Sequence, residues 1–212
     1  MANDTNMRLY TSATSPYGRI VRVVIRELGL LDQIEEIVPV TRQAGSPYYD
    51  LNPSGRIPFL VLPDRTGFEG SGLICDYLDA LDGTPKLSAP SDDTRWTYQR
   101  YEQAALAMMD GLAVWGRELR RPEADRSEEI LAHEAARVTR CVAYWASQTK
   151  HVLMTGDLNR LQVIVAAALE MDHRIPEFTW RDAHPALAAW LTRISLRKSM
   201  VDTRPDAPIS IA

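Results

Sequence analysis

Cysteine is scarce in this chain. Only Cys75 and Cys141 occur among its 212 residues, far apart and outside any C-x-x-C spacing. That scarcity argues against a disulfide framework, a zinc site or a dithiol redox centre, and makes a reducing cytoplasm the expected compartment. Charge of one sign is lacking as well: the formal net charge is −4 and is spread along the sequence. With neither a basic stripe nor a polybasic patch, nucleic acid and membrane surfaces are not expected partners. Long hydrophobic runs are absent too. The longest, Val163 to Leu169, falls far short of the ~20 helical residues that cross a bilayer. Met1 to Asn6 have no charged start followed by an apolar stretch, as a secretory signal would, and read as a disordered tail.

What is present is enough apolar material for a substantial core. At 45% hydrophobic composition over 212 residues, the chain can bury roughly 70% of the surface its unfolded form exposes, as one large domain or two small ones. From Met7 to Leu81 the signals alternate. A short strand at Arg8 to Thr11 precedes helical spacing at Ile20, Val23, Val24 and Leu28, on a segment that also carries Arg19, Arg22 and Arg26, and Gly29 supplies a stop. Strands follow at Ile34 to Val40 and Ile57 to Leu62, then a turn at Asp64 to Gly67, a return strand at Gly67 to Glu69, and a helix capped by Ser71 with Leu73, Ile74, Tyr77, Leu78 and Leu81 inward. The order is βαβ, linker, ββα.

Residues 83–92 concentrate turn formers without periodicity and read as a linker between a domain at 7–82 and an all-helical domain at 93–205. In the latter, Thr94 to Glu118 presents Tyr101, Ala105, Met108, Met109 and Leu112 on one face. Glu128 to Gln148 presents Leu131, Val138, Cys141, Val142 and Trp145. Leu161 to Met171 is apolar nearly all round, as the central helix of a bundle would be, and Asn159 to Gln162 has capping-box spacing before it. A last helix opens with Pro185 after His184 and buries Leu187, Trp190, Leu191 and Ile194. The fold class is α/β plus all-α.

Two short stretches carry the chemistry. Ser15-Pro16-Tyr17 opens a helix, so the Ser15 hydroxyl, the first-turn amides and the positive end of the helix dipole converge where an anion would sit. Asn52-Pro53-Ser54-Gly55-Arg56-Ile57-Pro58 leads into a strand, where a cis Pro58 would turn the backbone N–H and C=O of Ile57 toward a peptide ligand. Thr11, Ser12 and Thr14 rival Ser15 as the hydroxyl that activates a thiol, and Tyr10 is a weaker candidate because it belongs to the strand. Other constellations fail. His133-Glu134-Ala135-Ala136-Arg137 lacks the second histidine of a zinc motif, Glu69 to Leu73 lacks the outer glycines of a nucleophile elbow, and there is no phosphate loop, so no metal is expected.

This arrangement resembles the cytosolic glutathione transferase family, with bacterial, serine-type members as the nearest likeness, over almost the whole chain. Asn52 to Pro58 is similar to the signature N-P-x-G-x-[VI]-P. Ser71-Gly72-Leu73-Ile74-Cys75-Asp76-Tyr77-Leu78 is similar to S-x-x-I-x-x-Y-[LI], and Ala186 to Ile194 resembles the closing helix of bacterial members. Ser15-Pro16-Tyr17-Gly18 stands where thioredoxin-fold relatives have Cys-Pro-Tyr-Cys. The resemblance implies a thioredoxin-like βαβ-ββα domain followed by a helical bundle domain, a homodimer, and glutathione as co-substrate. Ser15 would activate its thiol, while Ile57, Pro58, Gly70 and Ser71 would bind it. Gly70 stands where members usually have Glu or Asp to meet the γ-glutamyl amino group; Glu69, displaced by one, would serve only if a bulge re-aimed it. The implied activity is conjugation of glutathione to a small hydrophobic electrophile held between the domains, facing the helix that carries Tyr101, Met108, Met109 and Trp115, although a methionine and aromatic stripe at helical spacing is more often core. The alternative is a non-catalytic binding or regulatory protein of the same fold with weak or no glutathione binding.

Overall fold

A computed structural model describes residues 6–88 and 94–205. The expected tail, except Asn6, and the last part of the expected linker, from residue 89, therefore lie outside the described residues. The described residues form two compact units, one of residues 6–86 together with 198–205, the other within Leu87–Arg197.

The first unit is built on a four-stranded mixed sheet in the order β2-β1-β3-β4. Strand β1 (Met7–Tyr10) runs parallel to β2 (Ile34–Ile37) and antiparallel to β3 (Phe59–Val61), and β3 is antiparallel to β4 (Gly67–Glu69). Side chains alternate as the pleat requires. Leu9 and Leu60 pair and are fully buried, while Tyr10, Phe59 and Val61 face the other way into an aromatic cluster with Tyr48 of the short helix α2 (Tyr48–Leu51). Helix α1 (Pro16–Glu27) packs against α3 (Ser71–Asp79). This is the expected βαβ-ββα order of a thioredoxin-like domain.

Several local readings shift. β2 ends at Ile37 rather than Val40, because Pro39 has no amide to continue a ladder. β3 begins only after Pro58. Gly29 does end α1, at φ +70°. In α3 the buried stripe is Ser71, Ile74, Cys75 and Leu78. Leu73 lies off that stripe and Leu81 beyond the last turn, and both are exposed. Arg19 and Arg22, by contrast, are buried in α1. Arg22 Nε and Arg26 Nη1 each lie 2.7 Å from a different oxygen of Glu36 on β2.

The second unit is helical: α4 (Arg95–Glu118), α5 (Glu128–Ser147), the short α6 (Val152–Thr155), α7 (Arg160–Leu169) and α8 (Pro185–Ser195). Every residue of α7 is buried, and α4 packs against both α5 and α7. The buried Arg160 grips Glu102 with two hydrogen bonds of 2.6 Å. The Tyr98 hydroxyl donates to Leu87 O at 2.7 Å and accepts from Leu161 N at 3.2 Å. Asn159 caps α7 by accepting from Gln162 N. Gln162 does not reach back as a full capping box would; its Nε2 donates to the carbonyls of Leu153 and Asp157.

The helical unit stops at Arg197 instead of running to 205. Lys198 onward, including α9 (Lys198–Val201), packs on α1 of the first unit. Arg19 Nη2 donates to Met200 O at 3.2 Å, and Ser199 Oγ donates to Glu27 Oε1 at 2.5 Å. The polar contacts of the buried Arg19 thus come from a segment distant in sequence.

Candidate active site

The strand register gathers the predicted residues of the first unit at one end of its sheet. Tyr10, the last residue of β1, is opposite Phe59, the first of β3, and Phe59 is opposite Glu69, the last of β4. The chain leaving β1 therefore reaches Ser15, the chain entering β3 delivers Ile57-Pro58, and the chain leaving β4 begins α3 at the same end. Gly70 N donates to Pro58 O at 3.4 Å, which ties two of these segments directly.

Ser15 is the N-cap of α1. Its backbone is extended, and its Oγ accepts from Gly18 N at 3.1 Å, with Pro16 at the first helical position. That bond occupies the oxygen as acceptor and polarises the O–H, which makes it a better donor toward an anion. No acidic residue lies in the first turn of either α1 or α3, so nothing on these helices offsets the positive ends of their dipoles. The rival hydroxyls are placed differently. Thr11 is fully buried, Tyr10 packs on Tyr48 with ring centroids 5.4 Å apart, and Ser12 and Thr14 contact one another at 3.5 Å.

The Asn52 to Pro58 stretch is a loop held by its own polar groups. The buried Asn52 accepts from Ser54 N at 3.1 Å and donates from Nδ2 to Arg56 O at 3.0 Å, where the Tyr48 hydroxyl also donates at 2.5 Å. Burial pushes the Tyr48 phenol up, so it stays a protonated donor there. Gly55 takes φ +64°, with the Tyr49 ring 2.6 Å from where a Cβ would stand. The Ile57–Pro58 peptide is cis. With Arg56 O engaged by two donors, the next backbone groups in line, the N–H and C=O of Ile57, have no hydrogen-bond partner among the described residues.

At α3 the register differs by one from the sequence reading. Gly70, at φ +92°, is the N-cap, and Ser71 is the first helical residue, buried and making no capping bond of its own. A left-handed backbone disfavours any side chain at 70, although a Cβ there would meet nothing within 4 Å. Glu69 does not take over. The β3–β4 ladder has no bulge, and the Glu69 carboxylate accepts from Ser54 Oγ at 2.8 Å.

Residues 14–81 match the family description "Glutathione S-transferase, N-terminal domain". The chain is 24% identical over 204 residues to the uncharacterized GST-like protein YibF of Escherichia coli K12, covering 94% of this chain and 98% of the relative. Among solved structures, a glutathione transferase family member from Pseudomonas fluorescens Pf-5 with bound glutathione superposes with a TM-score of 0.86 at 29% identity, covering 96% of this chain and all of that one. A glutathione S-transferase from Methylobacillus flagellatus with glutathione bound gives 0.85 at 26% identity, covering 94% and 100%. Residues 14–81 are thus a glutathione S-transferase N-terminal domain, and the chain is similar over nearly its whole length to glutathione transferases.

Other residues weighed for the site are engaged elsewhere. Met108 and Met109, read as the soft wall of an electrophile pocket, are fully buried in the helical unit, and Trp115 packs on Phe178 with ring centroids 6.2 Å apart. In the His133-Glu134 stretch the Glu134 carboxylate pairs with Arg137 at 3.2 Å. Thr11 and Gly18 were missed as a pair that meets beneath the first turn of α1. A glycine inside a helix's first turn was the one available signal, since it weakens the helix unless something approaches closely.

Proposed function

We propose that this protein binds glutathione and transfers it to a small hydrophobic electrophile, with Ser15 stabilising the thiolate. The observation that carries the reading is the placement of the Ser15 cap, the cis Ile57–Pro58 peptide and the N-terminus of α3 at one end of one sheet. A tripeptide ligand would meet three complementary features there. Its γ-glutamyl carboxylate would lie on the α3 amides and the Ser71 hydroxyl. Its cysteinyl backbone would pair with the N–H and C=O of Ile57. Its sulfur would come to Ser15 at the positive end of α1.

Free thiols ionise near pH 8.5, so at neutral pH only a few per cent is thiolate. A hydroxyl hydrogen bond together with a helix N-terminus is of the right size to lower that by about two units, or ~2.7 kcal/mol of preferential thiolate binding. The proton leaves to solvent, the sulfur lone pair forms the new S–C bond, and the displaced group departs with the electrons of the bond it breaks. Serine at this position cannot form a mixed disulfide, which favours conjugation over thiol–disulfide exchange. The same reading includes a homodimer in the reducing cytoplasm.

One observation favours a second reading. Gly70 offers no carboxylate to the γ-glutamyl ammonium, and Glu69 is held by Ser54. A protein of this fold with weak glutathione binding and a non-catalytic binding or regulatory role would have this feature. Titration calorimetry with glutathione, on the wild type and on Ser71→Ala, separates the two. Micromolar to low-millimolar affinity that Ser71→Ala weakens supports the transferase; absence of heat at ten millimolar glutathione supports the second reading.

A further inference from the structure

Buried hydroxyls without partners are uncommon, because an unsatisfied polar group costs roughly 1–3 kcal/mol. Thr11 is such a residue. It follows β1, its amide donates to Ile37 O at 2.8 Å, its side chain is wholly buried, and its Oγ1 has no hydrogen-bond partner among the described residues. A valine would fill nearly the same volume without that penalty, so the location of the oxygen matters. A Cβ placed on Gly18 would stand 2.1 Å from Thr11 Oγ1, and the same point lies 3.2 Å from Ser15 Cβ and 3.3 Å from Ser15 Oγ. The Thr11 oxygen therefore fills the notch that the missing side chain of residue 18 leaves. Gly18 is in turn the residue whose amide holds Ser15 Oγ at 3.1 Å.

From this contact we infer that Thr11 is a positioning residue for Ser15, acting through the notch at Gly18. The inference rests on Ser15 being the group that stabilises the thiolate. An oxygen has a shorter contact radius than a methyl group, so threonine lets the first turn of α1 settle closer to the end of β1 than valine would. The amide of Gly18, and with it the Ser15 hydroxyl, takes its position from that contact. Thr11 does not meet the ligand, since its Oγ1 is closed off from solvent. Its effect is felt in where Ser15 points, and a displacement of a few tenths of an ångström is enough to weaken a hydrogen bond to sulfur.

The test follows the ultraviolet absorbance of enzyme-bound glutathione thiolate against pH, which needs no electrophile. Wild type, Ser15→Ala, Thr11→Ala, Thr11→Val, Thr11→Ser, Gly18→Ala and the Thr11→Ala/Gly18→Ala pair are compared, with circular dichroism to establish folding. Thr11→Ala, Thr11→Val and Gly18→Ala are each expected to move the ionisation of the bound thiol up by about one unit, about tenfold less thiolate at a given pH below it. Thr11→Ser should restore it, and so should the double variant, because the methyl group introduced at position 18 takes the space the Thr11 oxygen gives up. If the single variants fold poorly, Thr11→Ser and the double variant decide the matter, and a bound thiol no more acidic in them than in Ser15→Ala overturns the inference. Folded single variants whose bound thiol ionises as in wild type overturn it while leaving Ser15 in place. A wild-type thiol no more acidic than that of glutathione in solution, or one still lowered in Ser15→Ala, overturns the reading of Ser15 itself.

Discussion

Substituting Gly70 by glutamate separates backbone strain from ligand recognition. Residue 70 holds φ +92° as the N-cap of α3, and a Cβ there meets nothing within 4 Å. The cost is therefore one of backbone conformation alone, about 1–3 kcal/mol for an L-residue at a positive φ with an extended ψ of 135°. That strain is the same with and without ligand, so it lowers stability and not affinity. Thermal unfolding should show it as a fall of roughly 2–12 °C for a chain of this size. Glutathione affinity should move the other way. A carboxylate facing the γ-glutamyl ammonium makes a charge-assisted hydrogen bond worth about 1.5–3 kcal/mol when shielded and less when exposed. Residue 70 is exposed, which puts the expected gain near 1.4 kcal/mol, about tenfold in Kd. Calorimetric titration of both proteins with glutathione and with N-acetylglutathione is the assay, since acetylation removes the ammonium and keeps the rest of the ligand. A folded Gly70→Glu protein that gains nothing for glutathione, or gains equally for the acetylated ligand, refutes the placement of the γ-glutamyl group at α3.

Ser15→Ala should move the ionisation of bound glutathione back toward about 8.5 and lower kcat/KM at pH 7 by about 25-fold, with the difference closing as pH rises past that value; loss of the cap should cost only ~1 kcal/mol of stability, and unchanged turnover would remove Ser15 as the activating group. Tyr98→Phe strips partners from Leu87 O and Leu161 N, with an expected loss of about 1–3 kcal/mol in denaturant unfolding. Burial and the nearby Glu102 carboxylate push the Tyr98 phenol up. The folded state therefore holds its proton at pH values where the unfolded state has released it, so the contribution of Tyr98 to stability is complete below about pH 10 and is lost as pH climbs above it. Denaturant midpoints in the wild type should fall across that range and fall less steeply in Tyr98→Phe. Glu36→Gln leaves the buried Arg22 and the partly buried Arg26 without their carboxylate; a loss of about 3–5 kcal/mol is expected, and a variant as stable as wild type would show that the pair is not held by charge.

The readable parts of this molecule are those set by rules that act within a few residues. Pro185 after His184 opens α8 where the helix begins, Gly29 ends α1, and the Asn52 to Pro58 loop is closed by hydrogen bonds among residues at most eight apart. Ser15 was legible for the same reason, as an N-cap before proline. The reading of α3 slipped by one residue because serine is the stronger capping type, while the positive φ that makes Gly70 the cap is a property of the folded backbone. The methionines of α4 carry helical spacing but no label for which surface their face meets, and that face turned out to be core.

The arginines of α1 were illegible for a deeper reason. On a helix, charges at three- and four-residue spacing read as a solvated face, and neither Glu36 on β2 nor the carbonyl of Met200, 181 residues from Arg19, leaves a local trace. Yet these contacts bear on the site. Burying guanidinium groups is a poor way to stabilise a fold, since the desolvation cost offsets most of the attraction, and burial accordingly lowers the pKa of Arg22. What such contacts do supply is direction, because a planar, forked donor is satisfied in few orientations. Arg22 and Arg26 fix α1 against β2, and Arg19 fixes it to the C-terminal segment. The helix that Ser15 caps is thus anchored along its length by polar contacts, and Thr11 locates its start.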